Sequence, residues 1–234
     1  MYSFTSTVRY SECDEHGNLS IVGLVNYLQD CSTFQCEELG LGLEHMRDIK
    51  IAWLLAAWQI EIERMPRFGE KIQVSTWCYD MKRTLASRNF CIKTADGETL
   101  VRADSLWFVF DREKQRPVRI PDSELAFKTD EPRLDMPDTK RKLICEGSWE
   151  DGKRIVVSEQ HLDTNLHVNN AQYVLMAQQA STSGTAWRRI CVQYCQQARL
   201  GDIICPRIYR DGVAETVALS DTDGEPYAIV RLEA

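Results

Sequence analysis

Two segments 132 residues apart read alike: Pro66-Arg67-Phe68-Gly69-Glu70-Lys71-Ile72 lies over Ala198-Arg199-Leu200-Gly201-Asp202-Ile203-Ile204. A second pair follows in the same order, Asp14-Glu15-His16-Gly17-Asn18-Leu19 over Asp163-Thr164-Asn165-Leu166-His167-Val168. Self-similarity at a long interval means one supersecondary unit used twice, and this restricts the fold more than composition does. In the first copy, residues 21–39 carry Ile21, Leu24, Val25, Leu28, Cys31 and Cys36 at helical spacing, with Gly40 and Gly42 as a stop. Residues 53–65, 71–79, 88–94 and 100–110 then read as strands in antiparallel hairpin order, rich in Val, Ile, Trp, Phe and Thr. The second copy repeats this grammar with an extended 154–157, a helix over 170–180 and strands over 189–198, 203–209, 215–219 and 227–232. The fold class expected is α+β, with a long helix packed on an antiparallel β-sheet in each copy. Pro117, Pro121, Pro132 and Pro137 crowd one charged stretch, so the expected division is 1–125, a linker over 126–143, and 144–234.

Composition sets the outer limits. A chain of 234 residues, 44% hydrophobic and 27% charged, has enough apolar content for a sizeable core, which excludes disorder and fibre. The net charge of -7 argues against a nucleic-acid-binding role, which calls for a basic face. No stretch approaches the roughly 18 apolar residues of a membrane helix, and Met1-Tyr2-Ser3-Phe4-Thr5 lacks the start of a signal peptide. The chain begins directly on a strand with no transit segment, so a cytoplasmic setting of bacterial type is expected, without membrane or nucleic-acid partners. Nine cysteines, an odd number scattered from Cys13 to Cys205, suit reduced thiols better than a disulfide framework or a zinc site.

The segment richest in chemistry is Leu162-Asp163-Thr164-Asn165-Leu166-His167-Val168-Asn169-Asn170-Ala171-Gln172-Tyr173. If extended, its spacing of two sets carboxylate, amide and imidazole on one side. Asn169 or Asn170 can cap the helix that follows, whose first-turn N–H groups and positive dipole end could polarise a carbonyl oxygen. The bland alternative is an Asx-rich turn with a satisfied histidine. His16, His45 and His161 read as surface or structural histidines.

The duplicated helix and sheet, with D-x-N-x-H-V-N-N-x-x-Y before the second helix, resembles the acyl-acyl carrier protein thioesterase family of double hotdog proteins. Supporting segments are Trp107-Phe108-Val109-Phe110-Asp111 with Arg116-Pro117-Val118-Arg119-Ile120-Pro121, and Tyr194 ahead of Gly201-Asp202. The resemblance implies a tandem hotdog that hydrolyses fatty acyl thioesters, with the acyl chain in the first unit and the chemistry in the second. It implies no cofactor and no metal. Asp163 matches the family's catalytic carboxylate, Asn165 its orienting amide and His167 its histidine. One position departs: the family shows Tyr-x-x-Glu, whereas here Tyr194 is followed by Cys195, Gln196 and Gln197. Gln197 can orient a water but cannot take a proton as a general base, and Ala198 has no thiol to act as a nucleophile.

The working expectation is that Asp163 and His167, oriented by Asn165 and Gln197, activate a water that attacks the thioester. Direct attack by Asp163 is the competing route. Val25, Leu28 and Phe34 on the first helix, facing Trp53, Leu54 and Trp58 on a strand, are expected to line the acyl tunnel. The basic run Arg112, Lys114, Arg116 and Arg119 is expected to meet an acidic acyl carrier protein, and a homodimer is the family-based expectation. The rivals are an acyl-CoA thioesterase of the same fold and a protein that binds acyl thioesters without catalysis. A hotdog hydratase fits less well, because its histidine stands five residues after the aspartate, with a proline between.

Overall fold

The computed structural model describes residues 1–181, 187–212 and 214–234 and divides into two units, Met1–Thr139 and Lys140–Ala234. In the first, β1 (Tyr2–Thr7) leads to α1 (Ile21–Glu38), then the short α2 (Leu43–Asp48), followed by β2 (Ile51–Ile62), β3 (Lys71–Met81), β4 (Ala86–Thr94), β5 (Thr99–Asp111) and β6 (Arg116–Val118). Helix α1 starts where Ser20 Oγ accepts the Gly23 N–H at 3.1 Å. It ends where Gly40 adopts φ +70°, a left-handed conformation that glycine enters without a Cβ penalty. Its inner face, with Leu24, Val25, Leu28 and Cys31 fully buried, lies on β3 and β1. Each such aliphatic side chain contributes about 1.5–3 kcal/mol by burial. The strands run in the order β1-β3-β4-β5-β2, all antiparallel, with β6 paired to β5.

The stretch that reads as a linker is bound to the first unit as far as Thr139. On the sheet face away from α1, Trp77, Asn89, Asp104 and Gln59 form one row across β3, β4, β5 and β2. Trp77 Nε1 donates to the Pro132 carbonyl at 2.9 Å, and Asn89 Oδ1 accepts the Leu134 N–H at 2.8 Å. Gln59 Nε2 donates to the Pro137 carbonyl at 2.9 Å, and Asp104 accepts from Thr139 Oγ1 at 2.9 Å. Proline carbonyls accept although proline cannot donate, so a Pro-rich segment can be strapped across a sheet largely by the side chains of the strands.

The second unit holds β7 (Trp149–Asp151), β8 (Ile155–Val156), α3 (Asn170–Ala180), β9 (Arg189–Tyr194), β10 (Ile203–Asp211), β11 (Ala214–Ser220) and β12 (Pro226–Glu233). Its ladder runs β8-β10-β11-β12-β9, with β7 also on β10, which is the connectivity of the first unit. Hydrogen bonds repeat as well. The Arg67 N–H donates to Glu70 Oε2 and the Arg199 N–H to Asp202 Oδ2, at 2.9 and 2.8 Å, while Gly69 and Gly201 both take positive φ. The repeat read from the sequence is therefore a repeat of structure.

One strand is shorter than its sequence suggests. Residues 195–198 leave the sheet after Tyr194, because the N–H groups of Cys195 and Gln196 both donate to the Tyr227 carbonyl and turn the chain off the ladder.

Candidate active site

Residues 163–167 do not form the extended stretch that their alternation suggests. Asp163 Oδ1 accepts the N–H of Asn165 at 2.8 Å and of His167 at 3.3 Å, its own N–H donates to the His167 carbonyl at 2.8 Å, and a Leu162–Val168 bridge closes the base. This is an Asx loop, and its tight turn puts Leu166 at φ +62° with its side chain 70% exposed. The loop therefore does not array carboxylate, amide and imidazole along one side of a strand. Asn165 is exposed, whereas Asp163 and His167 are half-buried.

The first unit builds the same loop. Asp14 Oδ1 accepts the N–H groups of His16 and Asn18, both at 2.9 Å, the Asp14 N–H donates to the Asn18 carbonyl at 2.8 Å, and Gly17 takes φ +76° where Leu166 stands in the second copy. The aspartate is thus a structural acceptor in both copies. What distinguishes the second is its side chains: Asn165 replaces His16, and His167 replaces Asn18. Asp163 Oδ2 makes no hydrogen bond among the described residues, so the loop is held by one oxygen of the carboxylate.

Helix α3 follows at once. Asn169 is its N-cap, with Oδ1 accepting the Ala171 N–H at 2.8 Å, and the Gln172 N–H donates to the Asn169 carbonyl at 2.9 Å. Two first-turn N–H groups are thereby satisfied within the cap itself. The segment carrying Gln197 is brought to this loop through its neighbour: the Ala198 carbonyl accepts the Val168 N–H at 2.9 Å, and the Ala198 N–H donates to Tyr173 Oη at 2.9 Å. Gln197 itself is exposed. Tyr194 Oη donates to the Asn170 carbonyl at 3.1 Å, and its ring meets Tyr173 edge-on at 6.1 Å. Burial pushes the Tyr173 hydroxyl up to about 12 and Tyr194 well above its ordinary value, so both stay protonated. Tyr173 is a positioning residue for the Ala198 segment that its place in D-x-N-x-H-V-N-N-x-x-Y marks in the sequence, since a buried tyrosine hydroxyl needs a partner. Desolvation likewise raises the Cys195 thiol, which opposes its use as a nucleophile.

In the first unit, Val25 and Leu28 are sealed beneath α1, whereas Phe34 is 45% exposed and packs its edge on Phe4 at 5.4 Å. Trp53, Leu54 and Trp58 lie on β2, at the far end of the strand order from β1, and the helix packed on β2 is α2. Trp58 is buried against Phe90, whereas Trp53 Nε1 donates to the buried Glu124 carboxylate at 2.8 Å. Arg112, Lys114, Arg116 and Arg119 are all exposed around the β5–β6 turn. Lys114 pairs with Asp111 at 2.9 Å, and the Arg112 N–H donates to the Lys50 carbonyl, which adds Lys50 to the basic run. His161 Nδ1 accepts the Ser158 N–H at 3.0 Å, a capping role, and His45 Nε2 lies 3.1 Å from Glu124 Oε1. Among the described residues, no group of three or more His, Cys, Asp or Glu is placed to hold a metal ion, and no helix is long and apolar enough to cross a membrane.

Comparison with known proteins gives consistent matches. Residues 1–127 match the family model described as the acyl-ACP thioesterase N-terminal domain. The chloroplastic acyl-(acyl-carrier-protein) hydrolase FATB3 of Cuphea viscosissima is 26% identical over 94% of this chain and 55% of its own length. Oleoyl-acyl carrier protein thioesterase 1 of Arabidopsis thaliana is 26% identical over 74% of this chain and 52% of its own. The chain thus spans about half the length of these curated relatives. Among solved structures, an acyl-ACP thioesterase from Bacteroides thetaiotaomicron superposes with TM-score 0.89 at 21% identity, covering 99% of this chain and 96% of that one. The 12:0-ACP thioesterase from Umbellularia californica gives 0.83 at 19%, with the same coverage. These likenesses show the fold, α+β with tandem hotdog units.

Proposed function

Because this chain belongs to the acyl-ACP thioesterase family, we propose that it hydrolyses fatty acyl thioesters carried on acyl carrier protein, releasing free fatty acid and the carrier thiol. The observation that carries the reading is the second Asx loop: the same backbone scaffold as in the first unit, here bearing His167 and an Asp163 whose Oδ2 makes no hydrogen bond among the described residues. In the proposed reaction Asp163 and His167 take a proton from water as its oxygen bonds to the thioester carbon. The C–S bond then breaks, and the leaving sulfur takes a proton. Asn165 and Gln197 orient these groups, and the positive end of α3 favours the oxyanion. Such general-base help is worth roughly 10²–10⁴ in rate. Attack by Asp163 Oδ2 itself on the thioester carbon is the alternative route.

The acyl chain is assigned to the first unit, lined by Val25, Leu28, Phe34, Trp53, Leu54 and Trp58. The carrier is assigned to the exposed Arg112, Lys114, Arg116 and Arg119, whose charge suits an acidic partner. A cytoplasmic homodimer belongs to the same proposal. A second reading, an acyl-thioester-binding protein without turnover, is favoured by one feature, Gln197 in place of a carboxylate. The test is thiol release from carrier-bound and CoA-bound acyl thioesters of graded chain length. Multiple turnovers on carrier thioesters are expected. Stoichiometric binding with no thiol released overturns hydrolysis in favour of the second reading, and equal turnover on CoA thioesters removes the carrier assignment.

A further inference from the structure

On the α1 side of the first sheet, Cys78, Arg88, Ser105 and Trp58 form one row in register across β3, β4, β5 and β2. Arg88 is only 7% exposed. Its Nη1 donates to Gln35 Oε1 and Thr76 Oγ1, and its guanidinium lies 5.6 Å from the centre of the Phe127 ring. No carboxylate pairs with it among the described residues. A guanidinium has five N–H donors and stays charged, and burying it without an anion is costly. The Nε–Nη2 edge of Arg88 makes no hydrogen bond among the described residues, and that edge offers the parallel donors that match the two oxygens of a carboxylate.

Two further observations point to the same place. The indoles of Trp53, Trp77 and Trp107 each donate to an acceptor, but Trp58 Nε1, in the Arg88 row and in a side chain 1% exposed, finds none among the described residues. A buried orphan donor is rare enough to call for a partner. The second unit supplies an internal comparison. By strand register, Glu215 occupies the place of Arg88, Arg210 that of Cys78 and Ile190 that of Trp58. There the buried charge has its counter-ion, Arg210 Nε standing 3.3 Å from Glu215 Oε1. In the first unit the equivalent buried position holds a cation, Arg88, instead of an anion, and the position facing it holds a thiol, Cys78.

We propose that this row is a carboxylate subsite inside the first unit, receiving the carboxylate end of an alkyl chain on Nε and Nη2 of Arg88 with Trp58 Nε1 as a further donor. The inference rests on the reading that this unit holds the acyl chain. Two ligands share the chemistry: the free fatty acid product entering head first, and an acyl thioester whose far end is itself a carboxylate.

The probes are dodecanoate and methyl dodecanoate below their micellar range, titrated calorimetrically into the full chain and into Arg88→Met. The acid is expected to bind the native protein at least about tenfold tighter than the ester, as charge-assisted hydrogen bonds imply, and the ratio is expected to fall near one in Arg88→Met. Equal affinity for acid and ester in the native protein, or an unchanged ratio in the variant, overturns the subsite. Ester binding reports folding within each titration. Should Arg88→Met not fold, Trp58→Phe keeps the ring and deletes the N–H, and a ratio unmoved there removes Trp58 from the subsite. Thiol release then separates the sources: faster turnover of dodecanedioyl than of dodecanoyl carrier thioester assigns the carboxylate to substrate, and inhibition by dodecanoate without that preference assigns it to product. A protein that prefers acid over ester yet releases no thiol refutes hydrolysis and leaves the subsite standing. A protein that hydrolyses but shows no preference refutes the subsite alone.

Discussion

Replacing Asp163 separates the structural role of its carboxylate from the catalytic role proposed for it. Asp163→Ala removes the acceptor of two backbone N–H groups at 2.8 and 3.3 Å. Hydrogen bonds to a charged acceptor are worth about 1.5–3 kcal/mol each, and since this loop is half-exposed and one bond is long, about 1–3 kcal/mol in total is expected. For a chain of this size that lowers Tm by roughly 2–4 °C per kcal/mol. Asp14→Ala removes two bonds of 2.9 Å from the twin loop and should cost about as much. Asp163→Asn keeps an oxygen where Oδ1 stands and loses only the charge, so its Tm should stay within a few degrees of native. If Oδ2 does the chemistry, Asp163→Asn should lose about 10²–10⁴ in kcat, or roughly 3–5 kcal/mol of barrier, while Asp14→Ala keeps native kcat despite its lower Tm. The assays are thermal melts and thiol release on the same preparations. An Asp163→Asn variant with kcat within twofold of native would falsify the catalytic role, and equal kcat losses in Asp14→Ala would reduce every effect to loop stability.

Tyr173→Phe strands the buried Ala198 N–H that donates to Tyr173 Oη; we expect a loss of about 1–3 kcal/mol in urea unfolding, with kcat falling as the Gln197 segment loosens, and native stability would contradict the bond's role. Trp58→Ala opens a cavity at a side chain 1% exposed and should cost roughly 3–5 kcal/mol, so Trp58→Leu is the variant for chain length; it should shift thiol release toward longer acyl chains, and an unchanged profile rejects Trp58 as a wall. Burial raises Cys31 to about 12 and Cys36 and Cys191 to about 11, against 9.0 for a free thiol. With folded values above unfolded ones, the unfolded chain ionises first, so this stability is complete below about pH 9 and is lost as pH rises toward 11–12. Melts from pH 7 to 11 should show a plateau and then a decline beginning near pH 9, and a flat Tm to pH 11 would contradict the burial of these thiols.

The repeat was legible because turn chemistry is local: Gly69 and Gly201 start equivalent strands, and the two Asx loops align residue for residue. The strap over 129–139 was not. Gln59, Asn89 and Asp104 look like ordinary outward positions of strands, and nothing near them in sequence says that a Pro-rich segment supplies their partners. Alternation in Asp163-x-Asn165-x-His167 suggested an extended chain, because a period of two is blind to a carboxylate that bonds the backbone two and four residues on. Arg88 is hard to read for a related reason: in Ala86-Ser87-Arg88-Asn89-Phe90 neither neighbour reveals which face turns inward, and contacts from distant residues such as Gln35 and Thr76 do.

The twin loops also bear on how such a chain can change over generations. Backbone bonds to one aspartate hold each loop, and the residues at its third and fifth places can differ without breaking those bonds. On the proposed reading, gain or loss of reactivity passes through these two places on a frame that does not unfold between them. A duplicated ancestor could specialise one half for holding and the other for cutting through intermediates that were all folded, and a descendant could fall silent with its architecture intact.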